Sequence, residues 1–100
     1  MKSKKVIIGS TAVFECMFTG NPKPKVEWFR NNTKIEKGKN GSLTVSDQLL
    51  IILGVKLADA GTYSCRVSNA LGMKQQIAKL AVVEGLYALN VLNFFFSDLT

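Results

Sequence analysis

Ala58-Asp59-Ala60-Gly61-Thr62-Tyr63-Ser64-Cys65-Arg66-Val67 is the stretch that decides the fold of this chain. Its first four residues read as a corner, since Asp and Gly favour bends that regular structure avoids. The remainder alternates, with Tyr63, Cys65 and Val67 on one face. Successive side chains of an extended chain point to opposite sides, so this pattern predicts a half-buried strand. Just upstream, Leu49-Leu50-Ile51-Ile52-Leu53 is an apolar run of strand length, with Leu50, Ile52 and Val55 as the inward set. Just downstream, Asn69-Ala70-Leu71-Gly72 reads as a hairpin turn. Gln76 to Val83 closes the pattern with Ala78, Leu80 and Val82 facing in.

The same reading extends to the N-terminal half. Thr11 to Phe18 places Ala12, Phe14, Cys16 and Phe18 on one face, with Cys16 pointing inward. Gly20-Asn21-Pro22-Lys23-Pro24 then interrupts it, because proline cannot donate to a strand ladder. Lys25 to Arg30 resumes the alternation, with Val26 and Trp28 opposite Lys25 and Glu27, and Asn31-Asn32-Thr33 turns the chain. Lys34 to Ser46 is polar, lysine-rich and broken by glycine, which predicts short edge strands and loops. No helical period is sustained anywhere. Antiparallel strands with one wet face account for the whole pattern. The fold class is an all-β sandwich.

Composition narrows the function. Of 100 residues, 47% are apolar and 20% charged, which suits one globular domain. The chain has no histidine, so the commonest general base and metal ligand is missing. Two cysteines alone cannot build a zinc site, and no phosphate-binding loop or nucleophile elbow appears. The reading is a non-enzyme without cofactor or metal. No apolar run reaches the roughly 20 residues of a membrane helix, and no secretory leader is expected from Met1-Lys2-Ser3-Lys4-Lys5. The formal charge of +6 favours anionic partners, but the cations are spread along the chain rather than blocked as in a basic interaction tail. Nucleic acid is therefore not an expected partner.

Cys16, Trp28 and Cys65, with Tyr63 two residues before the second cysteine, resemble the immunoglobulin pattern of cysteine pair, core tryptophan and tyrosine corner. Gly20-Asn21-Pro22-Lys23-Pro24-Lys25-Val26-Glu27-Trp28-Phe29 and Asp59-Ala60-Gly61-Thr62-Tyr63-Ser64-Cys65 resemble the I-set in particular. The resemblance implies an immunoglobulin-like β-sandwich, two antiparallel sheets in Greek-key order, over residues 1–84. It implies structural roles for Cys16, Trp28, Asp59, Tyr63 and Cys65. Asp59 would hold the corner by side-chain-to-backbone hydrogen bonds, and Tyr63 would donate to a nearby carbonyl. An edge strand that usually precedes the Gly9 region is expected to be short or missing. Residues 85–100 form an apolar tail outside the family pattern, expected either to cover apolar surface or to self-associate along a sheet edge.

Two settings are open to such a domain. The stretch from Gly20 to Ile35 is similar to I-set domains of titin, myosin light-chain kinase and the palladin and myotilin group. That likeness implies a cytoplasmic scaffold of muscle or cytoskeleton, with neighbouring immunoglobulin domains or actin as partners. There Cys16 and Cys65 would stay reduced, as buried apolar residues. Lys23, Lys25, Arg30, Lys34, Lys37 and Lys39 would form the rim facing an acidic filament, against the plainer reading, which the sequence favours, that lysines on edge strands prevent edge-to-edge aggregation. The alternative is an extracellular adhesion or receptor domain, in which the cysteines bond and close a loop worth about 4 kcal/mol. Asn31-Asn32-Thr33 and Asn40-Gly41-Ser42 fit the glycan acceptor pattern and would serve that second setting.

Overall fold

The computed structural model describes residues 1–84, so the expectation for the tail at residues 85–100 lies outside the described residues. Nine strands follow in chain order: β1 (Lys4–Ile7), β2 (Ala12–Glu15), β3 (Lys25–Arg30), β4 (Thr33–Ile35), β5 (Gly38–Asn40), β6 (Leu43–Val45), β7 (Leu49–Ile52), β8 (Gly61–Asn69) and β9 (Gly72–Val83). A single 3-10 turn, Leu57–Asp59, interrupts them. One sheet runs β1-β9-β8-β3-β4 and the other β2-β7-β6-β5. The chain changes sheet repeatedly, so β2 pairs with β7 although β3 and β4 of the larger sheet and β5 and β6 of the smaller one intervene in sequence. This is the expected immunoglobulin-like sandwich.

Alternation explains the inner faces. Ala12 and Phe14 are buried while Val13 and Glu15 are exposed, so β2 presents one apolar side to the opposite sheet. Val26 and Trp28 do the same on β3, and Leu50 and Ile52 on β7. Tyr63, Cys65 and Val67 line β8, on the same inner face as the buried Ala78 and Leu80 of the adjacent β9. Trp28, Tyr63, Phe14, Leu50, Ile52, Val26, Val55, Cys16 and Cys65 are all less than 2% exposed. Phe14 and Tyr63 stack across the two sheets with ring centroids 5.1 Å apart, a contact worth about 1 kcal/mol beyond area burial. Beside them Cys16 and Cys65 are joined in a disulfide that ties the sheets together.

The turns have local causes. Arg30 pairs with Thr33 across a two-residue loop in which Asn31 and Asn32 have φ of 48° and 70°. Positive φ at both positions matches the right-handed strand twist, and Asn bears it better than most side chains. At the β8–β9 hairpin, Asn69 Oδ1 accepts from the Leu71 N–H at 2.8 Å, and Asn69 Nδ2 donates to the Pro22 carbonyl at 3.0 Å.

Two features differ from the sequence reading. The strand expected from Gln76 begins at Gly72 and runs twelve residues, paired with β8 from Gly72 to Leu80 and with β1 from Leu80 to Val83. Its first residues alternate too weakly in polarity to signal a strand. The N-terminal strand is short, as expected, but β1 lies parallel to β9, so the larger sheet is mixed rather than wholly antiparallel.

Candidate interaction surface

The corner residues act on the fold. Asp59 Oδ2 accepts from the Lys56 N–H at 2.8 Å, and the Tyr63 hydroxyl donates to the Asp59 carbonyl at 2.6 Å. Arg30 Nη1 reaches Asp59 Oδ1 at 3.4 Å. Burial raises the Tyr63 pKa above its ordinary value, with the Arg30 guanidinium opposing that rise. Trp28 Nε1 donates to the Ser46 carbonyl at 2.8 Å, so the indole buries no unsatisfied donor. The polar side-chain atoms of Asp59, Tyr63 and Trp28 thus all take part in hydrogen bonds within the fold. Among the described residues, no group of three His, Cys, Asp or Glu side chains comes together, and no helix is long and apolar enough to cross a membrane.

The six cations of the sequence-predicted rim do not form one free patch. Lys25 and Lys34 flank Glu27 at 3.7 and 3.3 Å on the outer side of the larger sheet. The hydrogen bond from Lys34 holds the Glu27 carboxyl below its usual range, helped by the charges of Lys25 and Arg66. Arg30 belongs to the Asp59 corner, and Lys37 pairs with Asp47. Lys39 sits on β5, at the edge of the other sheet. Among the ion pairs of the described residues, Lys23 and Lys39 take no part. Positive charge is present, but much of it is compensated within this surface.

A different feature occupies the outer face of the larger sheet. Phe29 follows Trp28 in β3 and therefore points the other way. Register places Phe29, Ser64 and Ile77 in one row across β3, β8 and β9. The Arg66 guanidinium carbon stands 4.6 Å from the Phe29 ring centroid, and its Nε is buried without a hydrogen-bond partner. Ile77 and Met73 are 60% and 57% exposed, and Leu71 at the hairpin tip is 81% exposed. Met73 shares this face two rows away, in the row of Ser68 and Lys25, so exposed apolar side chains stand here among charged and polar ones, a mixture suited to protein binding. Sequence reasoning passed over Phe29, Arg66, Met73 and Ile77. For Phe29, Met73 and Ile77 the signal was an apolar or aromatic residue at outward positions where alternation calls for polar ones; Arg66, polar at such a position, gave none.

The two acceptor asparagines sit in different surroundings. Asn31 Oδ1 accepts from the Thr62 N–H at 2.9 Å, tying the β3–β4 turn to the start of β8. Asn40 is exposed at the end of β5, and its Nδ2 donates to the Glu36 carbonyl at 3.0 Å.

Known proteins with the same features fall into two groups. A family model described as "Immunoglobulin I-set domain" matches residues 1–82. Human leucine-rich repeats and immunoglobulin-like domains protein 1 is 34% identical over 83 residues, covering 83% of this chain and 8% of that protein. Titin of Drosophila melanogaster is 31% identical over 84 residues, covering 82% of this chain and, to the nearest per cent, 0% of that protein. The chain thus spans a small part of the curated relatives it matches. Among solved structures, a chimeric titin Z1Z2 carrying an exogenous decorin peptide superposes with a TM-score of 0.76. It is 29% identical, with 82% of this chain and 87% of that one covered.

Proposed function

This chain belongs to the immunoglobulin I-set family, a family of non-catalytic interaction modules, and from that membership we propose that it is an extracellular domain binding another protein. The observation that carries the location is the bond between Cys16 and Cys65. Disulfides form and persist in oxidising compartments and are rare where glutathione and thioredoxin keep thiols reduced. The partner docks on the outer face of the larger sheet, where Phe29, Met73 and Ile77 supply contact area and Lys25, Glu27 and Lys34 set orientation. This reading reverses the order in which the sequence alone ranked the two settings.

The second reading keeps the domain in the cytoplasm as part of a muscle or cytoskeletal scaffold, and the likeness to titin favours it. Actin would then meet Lys23, Lys25, Lys34, Lys37 and Lys39. The test is the thiol state of the protein taken from its own cells, with thiols trapped by an alkylating agent during denaturation and no reductant added. No mass gain supports the extracellular reading; two alkyl groups overturn it. In the second case, salt-sensitive co-sedimentation with actin filaments, lost when those five lysines are neutralised, would establish the filament contact.

A further inference from the structure

We propose that Asn40, and not Asn31, is the residue on which this domain carries an N-linked glycan. The inference rests on the extracellular reading. Both triplets have the required chemistry, an asparagine amide with a hydroxyl two residues later. In the transfer, the side-chain nitrogen bonds to the anomeric carbon of a lipid-diphosphate-linked oligosaccharide. The sugar–oxygen bond to the diphosphate breaks, its electron pair leaves on the lipid diphosphate, and the amide loses one proton. The product nitrogen keeps one hydrogen and must have open space for a bulky sugar.

Asn40 offers that space. It ends β5, which has a neighbour on one side only, and it pairs with Leu43 across the turn at Gly41 and Ser42. Asn40, Gly41 and Ser42 are all exposed, and a Cβ placed on Gly41 would meet nothing within 4 Å. The single contact of the amide nitrogen, to the Glu36 carbonyl, needs one N–H, and the linked amide retains one.

Asn31 is also exposed, but its amide is engaged with the start of β8. Oδ1 accepts from the Thr62 N–H, and the Asn31 backbone N–H donates to the Thr62 carbonyl at 2.8 Å. The amide lies so close to Gly61 that a Cβ there would come within 2.7 Å of Oδ1 and 2.8 Å of Nδ2. A sugar on Nδ2 would have to occupy the contact with Gly61, breaking the link from the β3–β4 turn to β8. The two sites thus differ in what folding requires of their amides. A glycan at Asn40 stands over the free edge of β5, a place where an uncovered strand invites pairing with other chains. It leaves the outer face of the larger sheet clear for a partner.

The test is to direct the full chain through the secretory pathway of mammalian cells behind a cleavable leader and to weigh the secreted protein before and after peptide N-glycosidase. The unsubstituted chain should lose one glycan. Asn40→Gln and Ser42→Ala should each abolish that loss, while Thr33→Ala, which spoils the other triplet without touching the Asn31–Thr62 bond, should keep it. A glycan retained in Asn40→Gln, or absent from the unsubstituted chain, overturns the proposal. Because the leader supplies the compartment, such a failure belongs to the site. Failure of the extracellular reading itself is registered separately by the thiol measurement on the native protein.

Discussion

Trp28 and Phe29 are adjacent in β3, yet they belong to two different regions of the molecule. Trp28 lies between the sheets, 1% exposed, beside Cys65 of β8 in the strand register. Phe29 lies half-buried on the outside under Arg66. The same contrast repeats on β9, where Ala78 is buried and its neighbour Ile77 is mostly exposed. Inside, apolar side chains meet other apolar side chains from the facing sheet, and their burial drives folding. Outside, apolar side chains meet water and a bordering layer of charge. The inner face therefore concentrates stability, and the outer face is free to serve recognition.

If that division is right, substitutions on the inner side should dominate stability. Replacing Cys16 and Cys65 together by Ala should cost about 4 kcal/mol, because the bond spans 49 residues and restricts the unfolded chain accordingly. Urea unfolding of the two chains would measure it, and a loss below about 1 kcal/mol would show that the inner face holds without its bond. Tyr63→Phe removes the hydroxyl's bond to the Asp59 carbonyl and should cost about 1 kcal/mol near neutral pH. Its pH dependence sharpens the point. The Tyr63 pKa is raised by burial, so the folded state favours the neutral phenol. That contribution is complete below the unfolded value of about 10 and is lost as pH rises through the folded one, a high-pH limb that the Phe variant should lack.

The outer side should respond more weakly. Glu27 has a depressed pKa, owing first to the hydrogen bond from Lys34. Its contribution is present above the unfolded carboxylate value of about 4.3 and falls away as pH drops through the folded value. Thermal melts of Glu27→Gln should differ from the parent near neutral pH and converge with it below about pH 4; a constant offset across the range would break the assignment. Smallest of all, Ile77→Ser should change stability by no more than about 0.5 kcal/mol, since the side chain is already mostly in water. A larger loss would mean that Ile77 packs as an interior residue does.

This division also explains what could be read in advance. Period-two alternation is a one-dimensional record of burial, so Ala12, Phe14, Trp28, Leu50, Ile52, Tyr63 and Cys65 announced the inner face without any knowledge of pairing. The Asn31-Asn32 turn and the Asp59 corner were legible because their causes are local. The outer face was not, because Phe29, Met73 and Ile77 come to share one face only when β3, β8 and β9 are laid side by side. The lysines misled for a related reason. Close in sequence, they are parted by the turn from β4 to β5, which sends Lys34 to one sheet and Lys39 to the other. The parallel placement of β1 left no mark at all, since pairing direction does not alter alternation.

The parallel β1–β9 pair has a mechanical meaning. Pulling Lys4 and Val83 apart along the strands loads the bonds between β1 and β9 together, in shear, rather than peeling them one at a time. Should they yield, the Cys16–Cys65 bond limits how far the domain can lengthen. The 48 residues enclosed between its ends would withhold about 160 Å of extended contour. Under tension the domain would then lengthen by a short, fixed step, with most of its chain kept out of the load path until the bond is reduced.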